Sequence, residues 1–283
     1  MPAEAAGAPS ADWNDRARHW AKAAPEGAPT ASAAEINRNL IARAGILAGD
    51  HVLDIASGTG EPSLSIALLV GADGSVTATD ATPAMLEVAT RRAANLGLKN
   101  IRFQVTAMEA MPFEDNRFDA VTCRFGLMHA NDAAAGLAKA RRVLKPGGRA
   151  AFMVHGGPAP NNLWWLVQGA ARDFFHAEGS VSTARRNLYS GEGETGALFA
   201  EAGFTQIEET LFTTEIRHAI PADGSGLEFW LPMLERGFSH LLADLDEAGT
   251  AELDKRLGRA FAPFLDGDAY VLGASQRITS GVK

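Results

Sequence analysis

His51-Val-Leu-Asp-Ile-Ala-Ser-Gly-Thr-Gly60 decides how this chain is read. A short apolar run, Val52 to Ile55, stops at a turn of small residues, and a helix-like segment, Pro62 to Leu69, follows. Strand, tight glycine loop and helix in that order bring a ligand up to the backbone N–H groups at a helix start. Gly58 and Gly60 suit the loop because they reach backbone angles closed to other residues and leave room for close approach. By itself the pattern is common. Its weight comes from the next hundred residues, which repeat the alternation of strand and helix.

Working outward, a helix over about Ser32 to Ala44 ends at Gly45 and leads into the first strand, His51 to Ile55. Ser75 to Thr79 reads as the second strand, ending on Asp80, and a helix from about Pro83 to Asn95 stops at Gly97. Ile101 to Val105 is the third strand and Phe118 to Cys123 the fourth. A helix over about Asp132 to Leu144 closes at Lys145-Pro-Gly-Gly148, and Arg149 to Val154 is the fifth strand. Apolar strands separated by helices imply an α/β fold, a doubly wound, mostly parallel Rossmann-like sheet with right-handed crossovers. Its ligand belongs outside the carboxyl ends of the strands, at the switch point beside the first strand.

The rhythm breaks after His155. Asn162 to Ala177 is helical and rich in aromatics, and Gly191 to Gly196 reads as a glycine-rich loop. Phe204 to Arg217 has the alternation of a strand. Helices are expected over about Gly226 to Leu242 and Ala248 to Phe261, and a last strand over Asp268 to Thr279, bringing the sheet to seven strands. The domain reading is a tail and helix over 1–30, a ligand-binding core over 31–155 and a helical insertion over 156–203. The C-terminal strands over 204–283 carry a second helical insertion at about 225–262. Segments that leave the sheet in this way are expected to cap the ligand crevice, with the 1–30 helix (Trp13 and Trp20 on one face) joining them.

Composition narrows the function. A net charge of −8 over 283 residues argues against a broad nucleic-acid surface, which needs clustered Lys and Arg. The clusters Arg91-Arg92 and Arg141-Arg142-Val-Leu-Lys145 fall on expected helices and read as solvated faces. A single cysteine, Cys123, rules out an intrachain disulfide and a multi-thiolate metal site, and reads as a small buried hydrophobe. No apolar run reaches the ~18 residues of a membrane span, and Met1 to Ser10 lacks the charged start and apolar centre of a secretory signal. A cytoplasmic protein binding small molecules, without metal, is the expectation.

Asp80 is the second informative position. It lies twenty residues after Gly60 at the end of a strand, where a carboxylate can accept both hydroxyl hydrogens of a ribose. Capping the helix that begins at Pro83 is the bland alternative, a role open to Thr82 as well. A dinucleotide loop is the first competitor. However, Gly58-Thr-Gly60-Glu-Pro-Ser63 lacks the third glycine of that pattern, and the anionic Glu61 would stand where a pyrophosphate binds.

Four motifs in order resemble the class I S-adenosylmethionine-dependent methyltransferases. They are Val52-Leu-Asp-Ile-Ala-Ser-Gly-Thr-Gly60; Thr79-Asp80 with Met85-Leu86; Met111-Pro-Phe113 before Arg117-Phe-Asp-Ala-Val121; and Arg142-Val-Leu-Lys-Pro-Gly-Gly148. Within that superfamily they look most like the ubiquinone and menaquinone biosynthesis C-methyltransferase branch. The resemblance covers about residues 35–155 and says little of 156–283. It implies a cofactor, S-adenosyl-L-methionine, leaving as S-adenosyl-L-homocysteine. Asp54 with Ala56, Ser57, Gly58, Thr59 and Gly60 would face its methionine end. Asp80 would hold the ribose, Ala81 and Met85 would pack on the adenine, and Met108 would offer backbone to the adenine edge. Arg124 and Phe125 would line the sulfonium side. Two positions depart from the pattern: Ala56 replaces the first loop glycine, and Ala107 stands where an aspartate often accepts from the adenine amino group, with Thr106 and Glu109 the nearest substitutes.

Methyl transfer from a sulfonium needs alignment in a dry site more than acid-base machinery. If the acceptor proton needs help, His129, after the fourth strand, is the first candidate base and His155, at the end of the fifth, the second; local backbone hydrogen bonding is the plain reading of both. His19, His176, His218 and His240 fall on peripheral elements. Trp20, His129, Trp164, Trp165 and Trp230 are candidate acceptor contacts, with Phe174, Phe175 and Phe229 nearby, although most such aromatics serve helix packing. The expected acceptor is a small, largely apolar or aromatic molecule methylated on carbon or oxygen. Aromatic walls would also favour a cationic amine methylated on nitrogen. The competitor from another class is a cofactor-binding module without catalysis; RNA methylation fits the acidic balance poorly.

Overall fold

The computed structural model describes residues 31–157, 162–176, 188–220, 230–231, 233–235, 238 and 241–283. The expectations for the 1–30 helix with Trp13 and Trp20, for His19, Phe229 and His240, and for most of the 226–242 helix lie outside the described residues.

Chain order begins with α1 (Ala31–Ala44), β1 (His51–Ile55), α2 (Ser63–Val70), β2 (Ser75–Asp80), α3 (Pro83–Asn95) and β3 (Ile101–Val105). Then come β4 (Phe118–Arg124), α4 (Ala133–Val143), β5 (Leu144–His155), α5 (Leu163–Phe175) and α6 (Glu194–Glu201). The chain closes with β6 (Thr205–Ala219), α7 (Glu247–Phe261), β7 (Leu265–Asp266) and β8 (Ala269–Val282). Short 3₁₀ turns occupy Met108–Ala110 and Leu127–His129.

Seven strands follow one another in the order β3-β2-β1-β4-β5-β8-β6, and the two-residue β7 pairs only with β8. The pairs β1–β2, β1–β4, β2–β3 and β4–β5 are parallel. Backbone bonds join Gly147 to Lys283 and Gly156 to Ser275, so β8 runs antiparallel to β5. β1 is therefore the switch point: the chain leaves it toward β2 and β3 on one side and returns on the other as β4 and β5. Because helices cover both faces, the inner strands are apolar throughout, with Val52, Leu53, Val121 and Phe152 all buried.

The helices carry the buried stripes their spacing implies: Ile36, Leu40 and Ala44 on α1, and Ala133, Leu137 and Ala140 on α4. Side-chain caps begin three of them, while Thr82 makes no such bond at the start of α3. Asp132 accepts from Ala135 N–H at the start of α4, Asn162 from Trp164 and Trp165 N–H at α5, and Asp246 from Gly249 N–H at α7.

Contacts group the chain into two compact units. The first holds residues up to Val154 together with Gly191–Thr210 and Arg277–Lys283; the second holds His155–Ser190 and Leu211–Gln276. In the second unit α5 and α7 enclose a core of Val167, Trp230, Leu234, Phe238, Leu253, Leu257, Phe261 and Leu272. Trp230 lies ring to ring with Phe261 (centroids 3.8 Å apart) and Tyr270 (5.4 Å). The groups best able to stabilise such a core are these large aromatics.

Two local expectations are corrected. Gly191 to Gly196 is not a loop throughout: Gly193 takes the left-handed conformation at the helix cap, and α6 starts at Glu194. Packing overrides the glycine content, because Phe199 on α6 meets Phe152 at 5.5 Å and Phe204 at 4.8 Å. Lys145-Pro-Gly-Gly148 is likewise part of β5, which passes through an irregular register between Phe118 and Ala120 of β4 instead of starting at Arg149.

Candidate cofactor site

The carboxyl ends of β1, β2, β3 and β4 bring the sequence-derived cofactor residues to one edge of the first unit. The loop after β1 is tightly built. Ser57 N–H donates to Thr79 O at 2.8 Å, Gly60 N–H to Ser57 O at 2.9 Å, and Gly58 N–H to the Asp80 carboxylate at 2.9 Å. Its two glycines do different jobs. Gly60 has φ +114°, and a Cβ there would stand 2.9 Å from a Leu64 methyl, so it serves packing against α2. Gly58 has φ +53° with no heavy atom within 4 Å of its Cβ position, so the space beside it is open to a ligand.

Asp80 closes β2. One carboxylate oxygen accepts from Gly58 N–H and the other from Thr82 N–H at 2.8 Å. Burial pushes its pKa up, opposed by those two backbone bonds. The Thr82 hydroxyl and the Ala81 N–H also act on this carboxylate, so it stands as a concentrated acceptor at the tip of β2. Ala81 follows it, and Met85 is buried in the first turns of α3.

Asp54 behaves differently from the expectation that it faces the ligand. It is fully buried, and its two carboxylate oxygens accept from the hydroxyls of Ser63 and Thr122, the latter at 2.7 Å. Burial pushes its pKa up to about 7, against the pull of those hydroxyls and of the Arg124 charge. Asp54 thus ties β1 to the start of α2 and to β4, and acts on the loop from beneath.

Arg124, at the end of β4, is drawn down in pKa by burial, with Glu61 and Asp54 opposing that shift. Its guanidinium lies 5.5 Å from the Phe125 ring, and Phe125 itself is held at φ +55°. The Arg124 Nε and the Ser57 hydroxyl are both buried with no hydrogen-bond partner among the described residues. Two orphaned polar atoms, one after β1 and one at the end of β4, are what a polar ligand at this edge would satisfy. The residues fit the methionine-and-ribose cofactor that the sequence implies.

On the β3 side, Met108 is buried in its 3₁₀ turn, and its sulfur fills the space beside Gly136 of α4. Ala107 precedes it in extended backbone. Glu109 is already engaged: one carboxylate oxygen accepts from the N–H groups of Asn131 (2.8 Å) and Asp132 (3.1 Å), so only its second oxygen remains for an adenine amino group. Thr106 directs its hydroxyl to the Ala107 and Ala110 carbonyls at 3.3 Å. His129 is half-buried at the end of the Leu127–His129 turn, its N–H donating to Gly126 O, and His155 is the last residue of β5.

Of the candidate acceptor contacts, Trp164 and Trp230 are buried within the second unit. Trp230 plays the packing role that the sequence also allowed. Trp165 is half-buried on a groove of the same unit with Gly169, Asp173, Arg256 and Arg259. Trp20 lies outside the described residues. Cys123 is buried and its thiol pKa is raised by burial, the inert role expected.

The basic helix faces need correction. Arg92 is 5% exposed, with NH1 donating to Thr59 O at 2.7 Å and NH2 to Glu61 at 3.3 Å. Arg142 reaches back to the Phe113 carbonyl at 2.6 Å and the Met111 carbonyl at 3.1 Å, and Lys145 pairs with Asp119 at 2.6 Å. Glu61 accordingly does not present a bare charge to a ligand, which weakens the electrostatic case against a pyrophosphate; the missing third glycine still stands. A carboxylate and an arginine thirty-one residues apart gave no sequence signal, since only the fold brings α3 under the loop.

Residues 52–148 match the methyltransferase domain family. Over 113 residues the chain is 43% identical to a ubiquinone/menaquinone biosynthesis C-methyltransferase UbiE from Marinomonas sp. (strain MWYL1), covering 40% of this chain and 45% of that one. The chain thus spans less than half the length of the curated relatives it matches. Among solved structures it is similar to the YcgJ protein of Bacillus subtilis (TM-score 0.56, 22% identity, 89% of this chain and 97% of that one). It is also similar to a SAM-dependent methyltransferase from Aquifex aeolicus (TM-score 0.52, 20% identity, 72% and 92%). Fold, motif order and family match agree for the core: residues 52–148 match a methyltransferase domain, and the fold is similar to that of S-adenosylmethionine-dependent methyltransferases. Within that class the matched stretch is most similar, among the relatives named, to the UbiE methyltransferases.

Proposed function

We propose that the chain is an enzyme that uses S-adenosylmethionine to methylate a carbon of a small, largely apolar or aromatic molecule of quinone type. The acceptor class rests on relatives about 40% identical whose names give ubiquinone and menaquinone biosynthesis. The observation that carries the reading is the Asp80 carboxylate held against the glycine loop by Gly58 N–H, which sets a ribose acceptor beside an open backbone cradle. Amine methylation, a non-catalytic module and an RNA substrate draw support from no observation in the described residues.

In this reading Ala56 to Gly60 and the buried Ser57 hydroxyl receive the methionine end, with Arg124 and Phe125 beside the sulfonium. Ala81 and Met85 pack on the adenine, while Ala107, Met108 and the spare oxygen of Glu109 meet its edge. The bound cofactor supplies an already activated methyl group. The protein's work is then to hold the acceptor carbon in line and keep water out. His129 takes the acceptor proton where one must leave, with His155 the second choice. No helix among the described residues is long and apolar enough to cross a membrane, and the enzyme is proposed to work in the cytoplasm.

Isothermal calorimetry with S-adenosylhomocysteine, followed by methyl-transfer assays on quinones, phenols and amines, tests this. Binding with methyl appearing on a ring carbon supports the reading. Absence of both heat and thermal shift with folded protein overturns it, and methyl on nitrogen overturns the acceptor class.

A further inference from the structure

Arg92 sits on the face of α3 that packs against the sheet, and a guanidinium that deep persists only when it is paired. Two of its partners belong to the glycine loop and its exit. The Thr59 carbonyl accepts from NH1, while the N–H of the same peptide unit, that of Gly60, donates to Ser57 O. With both ends of that peptide held, its plane cannot rotate. Glu61 takes the second Arg92 nitrogen and also accepts from Asn37 Nδ2 (2.8 Å) and the Ser65 hydroxyl (2.7 Å). Elements from α1, α2 and α3 therefore converge on one turn of backbone. The pair is shielded, with side chains only 6% and 11% exposed.

We propose that Arg92 and Glu61 are positioning residues for the cofactor: Arg92 sets the orientation of the Thr59–Gly60 peptide, and Glu61 cancels the charge that Arg92 would otherwise place beneath the glycine loop, near a cationic cofactor. This rests on the cofactor assigned above. It makes the two halves of the pair separable. Arg92 acts through loop geometry and so matters for cationic S-adenosylmethionine and neutral S-adenosylhomocysteine alike. Glu61 acts in addition through charge and so matters more for the cation, because repulsion in a shielded site is weakly screened.

The experiment measures dissociation constants of the wild type, Arg92→Met, Arg92→Lys and Glu61→Gln for both ligands by calorimetry, with ligand-free melting temperatures alongside. Arg92→Met is expected to weaken both ligands roughly tenfold, the effect of losing a charge-assisted hydrogen bond. Arg92→Lys should fall between, since one ammonium cannot reproduce the fork. Glu61→Gln should weaken S-adenosylmethionine at least about threefold more than S-adenosylhomocysteine. Should Arg92→Met not fold, Arg92→Lys and Glu61→Gln decide. Variants that melt earlier yet bind both ligands within about twofold of wild type would reduce the pair to ordinary structural support and overturn the inference. Wild-type protein that binds neither ligand would overturn the cofactor assignment itself, a distinct result.

Discussion

Gly58 N–H donates to the Asp80 carboxylate at 2.9 Å, joining the loop after β1 to the tip of β2 across 22 residues of sequence. One side chain thereby shapes the cradle and offers a ribose acceptor. Asp80→Ala is expected to weaken S-adenosylhomocysteine binding by about 1–3 kcal/mol, as when hydrogen bonds to a buried ligand are lost. Asp80→Asn, which keeps one acceptor oxygen, should lose less. Titration calorimetry checks both, and unchanged affinity in Asp80→Ala removes the residue from the site.

Gly126 follows the strained Phe125 and packs under the loop. A Cβ added there would come within 2.4 Å of the Ala56 Cβ and 2.7 Å of the Cys123 sulfur. Gly126→Ala should therefore cost about 1–3 kcal/mol of stability through overpacking. Ala56, held at φ +56°, is the atom in the way. The double variant Gly126→Ala with Ala56→Gly should recover part of the loss. Urea unfolding measures each; a neutral Gly126→Ala would mean that the two loops are not in contact.

Asp54 makes stability depend on pH. Its folded pKa is about 7 against 3.8 for the free group, so between those values the folded protein holds a proton that the unfolded chain has released. That contribution is fully present below about pH 4, fades as pH rises, and is gone above about 7. Asp54→Asn should flatten this part of the profile in denaturant midpoints taken from pH 4.5 to 8. An identical slope in variant and wild type would place the charge elsewhere.

Phe261→Ala opens a hole beside Trp230 and Tyr270 in the second unit. The expected cost is about 3–5 kcal/mol. Hydrogen exchange should show lost protection in α5 and α7, with β1, β2 and β4 retaining theirs. Uniform loss across all strands would show that the chain unfolds as one body.

The sequence located the parallel core because its strands are buried on both faces and therefore read as short apolar runs between amphipathic helices. Pro83–Asn95 and Ile101–Val105 fall on the residues expected. The place of Asp80 at the end of β2 was legible because the apolar run before it marks the strand. Arg92 was not: beside Arg91 on an amphipathic helix it looks solvated, and only its long stem lets it reach Thr59. α6 was hidden because glycine spacing signals a loop, while the packing of Phe199 that overrides it comes from β5, far away in sequence. The partners of Asp54 and Glu109 were equally invisible, since they come from β4 and from the turn before α4.

The division of the chain has a practical corollary. The family match ends at Gly148, yet the strand that flanks β5 is supplied by the last residues of the chain, with Lys283 N–H bonded to Gly148 O. A fragment trimmed to the matched stretch would cut β5 after Gly148, losing Arg149–Met153 that pair with β4, and would leave β4 as a raw border whose N–H and C=O groups face water and invite other chains to stack on it. What comparison recognises as a domain is therefore not a piece that can be excised, and truncation studies should keep the tail.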